Sequence, residues 1–187
     1  MRLQNTPEIA KINGYMEAMS CCLQGCNYVI WFSARGIELE ENDLSSQILD
    51  EFAERASRSP GYETTPIVEL QNLIQVGYPG AKPDFATMHE CNHGPTWLTT
   101  RVNTFIARIN PSDRFKNVDR SKKNNLIVRF WRNVSEYIDY ENSRVFQYNP
   151  AFGIDDELWD FRIWGFTFAI VNLEQRKCLL MHGGASD

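Results

Sequence analysis

The C-terminal end of the chain has the pattern of a β-hairpin, and this pattern constrains the fold more than any other segment. Apolar and polar residues alternate over 159–163, and a continuous apolar run follows over 166–171. A polar turn at 172–176 leads into a second apolar run at 177–182. An isolated two-stranded hairpin is not stable in water, so further strands must pair with it. The candidates for these strands are residues 28–32 and 145–148.

Upstream of the hairpin, several segments place apolar residues three and four positions apart, which is the spacing of one buried helix face. Several of these segments begin at a proline or a capping side chain and end at glycine or proline. The predicted helices cover residues 7–24, 44–58, 66–76, 97–109 and 126–140.

These elements together predict an α+β fold. A mainly helical N-terminal two-thirds packs on a small antiparallel sheet, which the C-terminal hairpin largely forms. The chain has 187 residues, of which 43% are hydrophobic, and this is enough to bury one core. Since no repeat, low-complexity tract or shift in composition marks a boundary, we expect residues 1–187 to form a single globular domain.

The charge balance narrows the class of partner. The chain has 19 Lys and Arg residues against 24 Asp and Glu residues, a formal net charge of -5. A generally basic surface is therefore excluded, and a nucleic-acid partner is not expected. The basic stretch 111–125 is predicted to be an exposed loop, with contact to an anion as the alternative. No apolar run approaches the about 18 residues that a membrane span needs, so no membrane partner is expected.

Cysteine content and the N-terminal residues indicate the compartment. The five cysteines are an odd number in a chain that is large enough to fold without disulfides. The N-terminus lacks the continuous apolar region of a secretory signal. We therefore expect reduced thiols and a cytoplasmic protein.

Negative charge is concentrated between residues 38 and 54, where seven acids occur without a basic residue. Such a run is typical of a solvated surface, but it also suits a docking surface for a basic protein. The residues that we assign to partner binding are Glu38, Glu40, Glu41 and Asp43.

One short motif has the spacing of a catalytic metal site. His89-Glu90-Cys91-Asn92-His93 is an H-E-x-x-H pattern, in which two imidazoles one helical turn apart can share a zinc ion. At these five residues the sequence resembles the zincin metallopeptidases. The resemblance implies a short helix over 84–93, with His89 and His93 as zinc ligands and Glu90 as the general base that deprotonates a bound water. The third ligand would be Glu136 of a later helix.

The motif departs from the family pattern at two places. Cys91 occupies a position where these peptidases have a bulky hydrophobic residue, and Gly94-Pro95 ends the helix directly after His93. The sequence therefore favours a noncatalytic protein-binding module without a cofactor, such as a small acidic inhibitor of the toxin-immunity or phage anti-defence type. Its partner would be another protein with a basic surface. The alternative is a zinc-dependent, metallopeptidase-like hydrolase.

Overall fold

The computed structural model describes residues 1–23, 29–58, 67–80, 82–91, 94–108, 120–152 and 164–186. Within these ranges the chain forms six strands and five α-helices, and a 3₁₀ turn at Tyr140–Asn142. The strands are β1 (Arg2–Gln4), β2 (Val29–Glu38), β3 (Lys82–Glu90), β4 (Arg144–Phe152), β5 (Trp164–Asn172) and β6 (Lys177–Ser186). The helices are α1 (Pro7–Leu23), α2 (Ser46–Arg58), α3 (Val68–Gly77), α4 (Gly94–Arg108) and α5 (Arg120–Tyr137).

The strands form one antiparallel sheet in the order β1-β2-β6-β5-β4-β3. The predicted hairpin, β5 and β6, lies in the middle of this sheet, and Thr167 pairs with His182 across it. β2 pairs with β6 along its whole length, from Val29 opposite Ser186 to Glu38 opposite Lys177. The α+β class is therefore confirmed, and the hairpin recruits the additional strands that its stability requires.

Helices cover both faces of the sheet. Because side chains alternate along a strand, Leu179 and Leu180 of β6 point to opposite faces. Leu180 belongs to a core beneath α2 and α3, and Leu179 belongs to a core beneath α1, α4 and α5. We call these two groups of helices the α2–α3 layer and the α1–α4–α5 layer. The central strands are thus buried on both sides, which explains their continuous apolar runs.

The helix predicted over 84–93 is wrong, because Lys82–Glu90 form β3 at one edge of the sheet. The burial pattern at its end shows the reason. Met88 packs in the core of the α2–α3 layer and Cys91 in the core of the α1–α4–α5 layer. Apolar residues on two faces suit a strand between two layers, and pairing with β4 satisfies the backbone.

Other predicted boundaries also shift. Residues 120–125, which we assigned to an exposed loop, form the first turns of α5. The short strand β1 was not predicted at all. The alternating segment 159–163 lies outside the described residues, as does most of the predicted loop before α5. No α-helix in the described ranges has the length and apolar content that a bilayer span requires.

Candidate functional site

The zincin-like motif begins at the end of edge strand β3. His89 pairs with Gln147 of β4, and Glu90 pairs with Phe146. Consecutive residues of a strand point to opposite faces, so the two side chains diverge. His89 is exposed on the side of the α1–α4–α5 layer, whereas Glu90 is half-buried on the side of the α2–α3 layer. The second predicted ligand, His93, lies outside the described residues.

Both carboxylate oxygens of Glu90 are engaged by one arginine. Arg144 of β4 donates from Nε to Oε1 and from Nη2 to Oε2, each at 2.6 Å. The same guanidinium donates to Asp50 of α2 at 2.6 Å and to the backbone carbonyl of Leu49 at 3.2 Å. The hydrogen bonds that Arg144 donates to Glu90 are the largest cause that raises the pKa of Arg144. Arg144 therefore links β4 to β3 and α2, and both carboxylate oxygens of Glu90 are paired with a permanent cation.

Glu136, the predicted third ligand, has other partners. It accepts a hydrogen bond from Lys11 of α1 at 3.1 Å and lies 4.0 Å from Arg132. It borders a groove of about 250 Å³ together with Glu38 of β2 and Lys177 of β6. β6 is three strand positions from β3, which corresponds to about 14 Å. Within the described ranges, no three His, Cys, Asp or Glu residues are grouped so that they could hold a metal ion.

The cysteine within the motif is held in its neutral form. Burial raises the pKa of the Cys91 thiol to about 12, and nucleophilic attack requires the thiolate. Burial also raises the pKa of Cys178. Both thiols are free, and they act as small core residues.

Two of the four acids that we assigned to partner binding hold the N-terminal strand in place. Glu38 accepts hydrogen bonds from Arg2 at 2.5 Å and from Gln4 at 2.7 Å. Asp43 accepts the backbone N–H of Glu40 at 2.7 Å and forms an ion pair with the α-amino group of Met1. These contacts make Glu38 and Asp43 part of the attachment of β1 to β2.

The pKa values reflect these contacts. The hydrogen bond from Arg2 and its charge lower the pKa of Glu38. Burial opposes ionisation of Asp43, but the Met1 amino group and the Glu40 N–H outweigh it, and the pKa of Asp43 is lowered. Both side chains are therefore anions at neutral pH.

The other two assigned acids are available to a partner. The side chains of Glu40 and Glu41 are 76% and 86% exposed. Glu40 lies 3.8 Å from the Met1 amino group, and Glu41 lies 3.5 Å from Arg176. Exposed ion pairs of this kind contribute little and exchange readily, so both carboxylates can be redirected to a second protein.

A groove of about 580 Å³ lies beside these acids, between the β2–α2 turn and α3. Asp43 borders it on one side, and Val68 and Glu69 of α3 border it on the other. Val68 is 61% exposed, which is unusual for a large hydrophobic side chain among the described residues. Glu40 and Glu41 do not line the groove but directly precede its Asn42–Asp43 edge in the chain. We call Asp43, Val68 and Glu69, together with these two neighbouring acids, the acidic groove. Sequence reasoning missed its α3 side because Val68 and Glu69 follow the acidic run by many positions.

Comparison with known proteins identifies a shared fold. No protein-family model and no curated protein matches the sequence. Crystal structures of citrus MAF1 in two space groups are similar, with TM-scores of 0.59 and 0.56. In both comparisons the sequence identity is 12%, and the similarity covers 96% of this chain and 98% of the citrus chain. The similarity therefore spans the whole architecture.

Proposed function

We propose that the protein is a noncatalytic binding module that inhibits another protein by covering a basic surface on it. The observation that carries this proposal is the acidic groove, which is bordered by the exposed side chain of Val68 and by acidic residues of two elements, Asp43 and Glu69. A cytoplasmic inhibitor of the toxin-immunity or phage anti-defence type would have this character. Its action requires no cofactor, because covering the partner's site is sufficient.

The acidic groove combines the two contributions that a specific interface needs. Val68 offers an apolar anchor, whose burial by a partner is favourable in proportion to the area removed from water. Glu40 and Glu41 are exposed next to the groove, and charge outside the apolar part of an interface mainly accelerates encounter and selects the partner. Lys or Arg side chains of an inhibited protein could place their aliphatic stems against Val68 and their charged ends against these carboxylates.

The exposed positions also permit a clean test. Glu38 and Asp43 hold β1, so reversing their charge would disturb the fold as well as the surface. The double variant Glu40→Lys/Glu41→Lys and the single variant Val68→Asp change the surface with little effect on the core. Val128→Asp is a matched control, because Val128 is 66% exposed on α5 in the opposite layer.

The experiment begins with affinity capture of partners from the source cells, followed by surface plasmon resonance with the purified partner. We expect a basic partner whose activity is blocked at a one-to-one ratio. Reversal of Glu40 and Glu41 should slow association roughly 10-fold at low salt and flatten its salt dependence. Val68→Asp should accelerate dissociation roughly 10-fold or more, and Val128→Asp should change neither rate.

Two results would contradict the proposal. One is an association rate that is the same for the wild type and for Glu40→Lys/Glu41→Lys. The other is a complex that forms fully but leaves the partner active, because the module would then bind without inhibiting.

A further inference from the structure

A second groove lies on the opposite side of the sheet, where α4 and α5 meet the 3₁₀ turn. Its volume is about 600 Å³. Val128, Trp131 and Tyr140 contribute its apolar wall. Val128 is 66% exposed, which is the highest exposed fraction of any large hydrophobic side chain among the described residues. Covering this side chain removes apolar area from water, and that burial favours association.

The apolar wall of this groove is fixed by contacts within the chain. The indole Nε1 of Trp131 donates a hydrogen bond to Oδ1 of Asn103 in α4 at 2.8 Å. The Trp131 ring packs against Phe130 and Tyr140, with centroid distances of 5.1 Å in both cases. Side chains that are fixed before binding lose little conformational entropy on association, so the groove presents a preformed surface.

Two charges of opposite sign border the groove at different places along it. Arg132 lies within α5, and its side chain is 81% exposed. Its ion pair with Glu136 is long, at 4.0 Å, and Glu136 also accepts a hydrogen bond from Lys11. Glu141 is exposed and borders the groove beyond the end of α5. Arg132 and Glu141 can therefore both pair with charges of another molecule.

A partner with charge of one sign does not fit this groove. Asp139 is its second acid, and its carboxylate accepts hydrogen bonds from the backbone N–H and the side chain of Asn142. An acidic partner, or the phosphates of a nucleic acid, would pair with Arg132 but would be repelled by Asp139 and Glu141. A basic partner would be attracted by the acids and repelled by Arg132. The occupant must therefore present both signs, in the reverse order along the groove.

The same surface of a second copy meets this requirement. A two-fold axis places one patch of two copies face to face, so that each residue pair occurs twice. Ser135 is a suitable place for this axis, because it is small and exposed and lies between Arg132 and Glu141 in the chain. The two α5 helices are then antiparallel, and Arg132 of each copy faces Glu141 of the other. Val128 lies about 10 Å before Ser135 along the helix, so it covers the turn at Tyr140 of the other copy.

We propose that the protein forms a two-fold symmetric dimer through the groove between α4 and α5, with Arg132 of each copy paired with Glu141 of the other. The apolar part of this interface is small, and small interfaces form weak, transient complexes. We expect a dissociation constant of about 10–100 µM. Because the sheet lies between the two helical layers, the dimer leaves the acidic groove of each copy open.

The test measures the monomer–dimer equilibrium of the full chain by analytical ultracentrifugation. Arg132→Glu and Glu141→Arg each introduce two like-charge pairs into the homodimer, so each should raise the dissociation constant at least about 10-fold. In an equimolar mixture of these two variants, the glutamate introduced at position 132 meets the arginine introduced at position 141. The native Glu141 of the first variant also meets the native Arg132 of the second. The mixture should therefore recover dimers with a dissociation constant close to that of the wild type.

Further surface variants locate the interface. Val128→Asp should raise the dissociation constant of the dimer roughly 10-fold or more. Val68→Asp, the matched substitution in the opposite layer, should leave it unchanged. Arg129→Glu repeats the charge reversal on α5 at an exposed residue outside the groove, and it should change the dissociation constant less than about 3-fold. All these side chains are exposed, so circular dichroism should be unchanged.

Several outcomes would overturn the assignment. One is a wild-type chain that stays monomeric up to about 1 mM. Another is an equimolar mixture of Arg132→Glu and Glu141→Arg that dimerises no better than either variant alone. An equal loss of dimer in Val68→Asp and Val128→Asp would place the contact elsewhere. Oligomers that continue to grow beyond the dimer would exclude a two-fold contact, because such a contact closes with two copies.

Discussion

The α2–α3 layer and the α1–α4–α5 layer bury similar cores, but their helices carry opposite net charge. In sequence, α2 and α3 contain four acids and two arginines, whereas α1, α4 and α5 contain three acids and eight Lys or Arg residues. Phe52 of α2 and Phe130 of α5 are both fully buried, each at the edge of a second aromatic ring. The formal net charge of -5 averages over this asymmetry.

The contrast shows that the inward and outward faces of a helix are under different constraints. The inward side chains of both layers must be apolar, because the central strands present Leu179 to one and Leu180 to the other. The outward side chains have no such constraint, and their charge can therefore be matched to a partner. One sheet can thus support two surfaces of different specificity.

The largest expected effect tests whether the two cores form one cooperative unit. Phe52→Ala and Phe130→Ala each remove a fully buried ring from one layer, and each should lower the free energy of unfolding by about 3–5 kcal/mol. Urea denaturation followed by tryptophan fluorescence and by circular dichroism measures this. If either variant shows two transitions, the layers unfold separately and the shared sheet does not couple them.

The next effect concerns two glycines, Gly36 and Gly77, at which a neighbouring side chain lies close to the backbone. A Cβ atom at Gly36 would lie 2.7 Å from both the Ile9 side chain and the Tyr137 hydroxyl, so α1 and α5 would have to shift. Gly36→Ala should therefore cost about 1–3 kcal/mol. Gly77→Ala meets the movable end of Leu180 at 2.5 Å but gains up to about 1 kcal/mol of helix propensity. We expect near-neutral stability there, and equal losses in the two variants by thermal denaturation would contradict this.

Removal of the Arg144 side chain, which connects β3 and β4 to α2, should change the free energy of unfolding by a smaller amount. Arg144→Met leaves the Glu90 carboxylate half-buried without its cation, which should lower the free energy of unfolding by about 1–2 kcal/mol. Glu90→Gln keeps one acceptor and should cost less. Arg129→Met, at an exposed position of the opposite layer, is the control. Metal analysis of the Glu90→Gln protein adds a second measurement, because the zinc alternative requires about one retained equivalent.

The smallest expected effect is on the loss of stability at acidic pH. The folded-state pKa of Glu38 is lowered from its ordinary value of 4.5, so its stabilising contribution is complete above pH 4.5. That contribution is lost as the pH falls through the folded-state pKa. Glu38→Gln should therefore flatten the loss of stability in acid, and Glu41→Gln is the matched substitution at an exposed acid. Denaturation midpoints measured from pH 6 to about pH 2 test this, and identical profiles for wild type and Glu38→Gln would remove Glu38 from the attachment of β1.

Local patterns were sufficient for most elements. The hairpin is encoded by two continuous apolar runs around a polar turn and the helices by apolar spacings of three and four residues, and these patterns correspond in the structure to β5, β6 and the buried faces of the helices. β3 could not be predicted in this way. A spacing of four between Phe85 and His89 also fits a helix, and the outcome depends on pairing with β4, more than fifty positions away.

For the candidate sites too, some features could be predicted from the local sequence and others depend on distant contacts. The acidic run was visible in the chain, but Glu38 and Asp43 became structural because β1 folds back onto β2. Similarly, Glu90 could be identified as a potential base, whereas its engagement by Arg144 required two distant strands to meet. The sequence did not indicate that Val68 and Val128 are exposed, because the exposure of a valine on a helix depends on which elements pack beside that helix.

The amino-acid sequence alone determined where apolar faces must be buried, and with them the α+β class, the central hairpin and the net negative charge. Periodicity acts over a few residues, so it can be read without knowledge of the rest of the chain. The tertiary structure decided which acids remain available, which valines stay exposed and which helices share a layer. These properties depend on contacts between residues far apart in sequence, and such contacts form when the strands pair and the helices pack on the sheet.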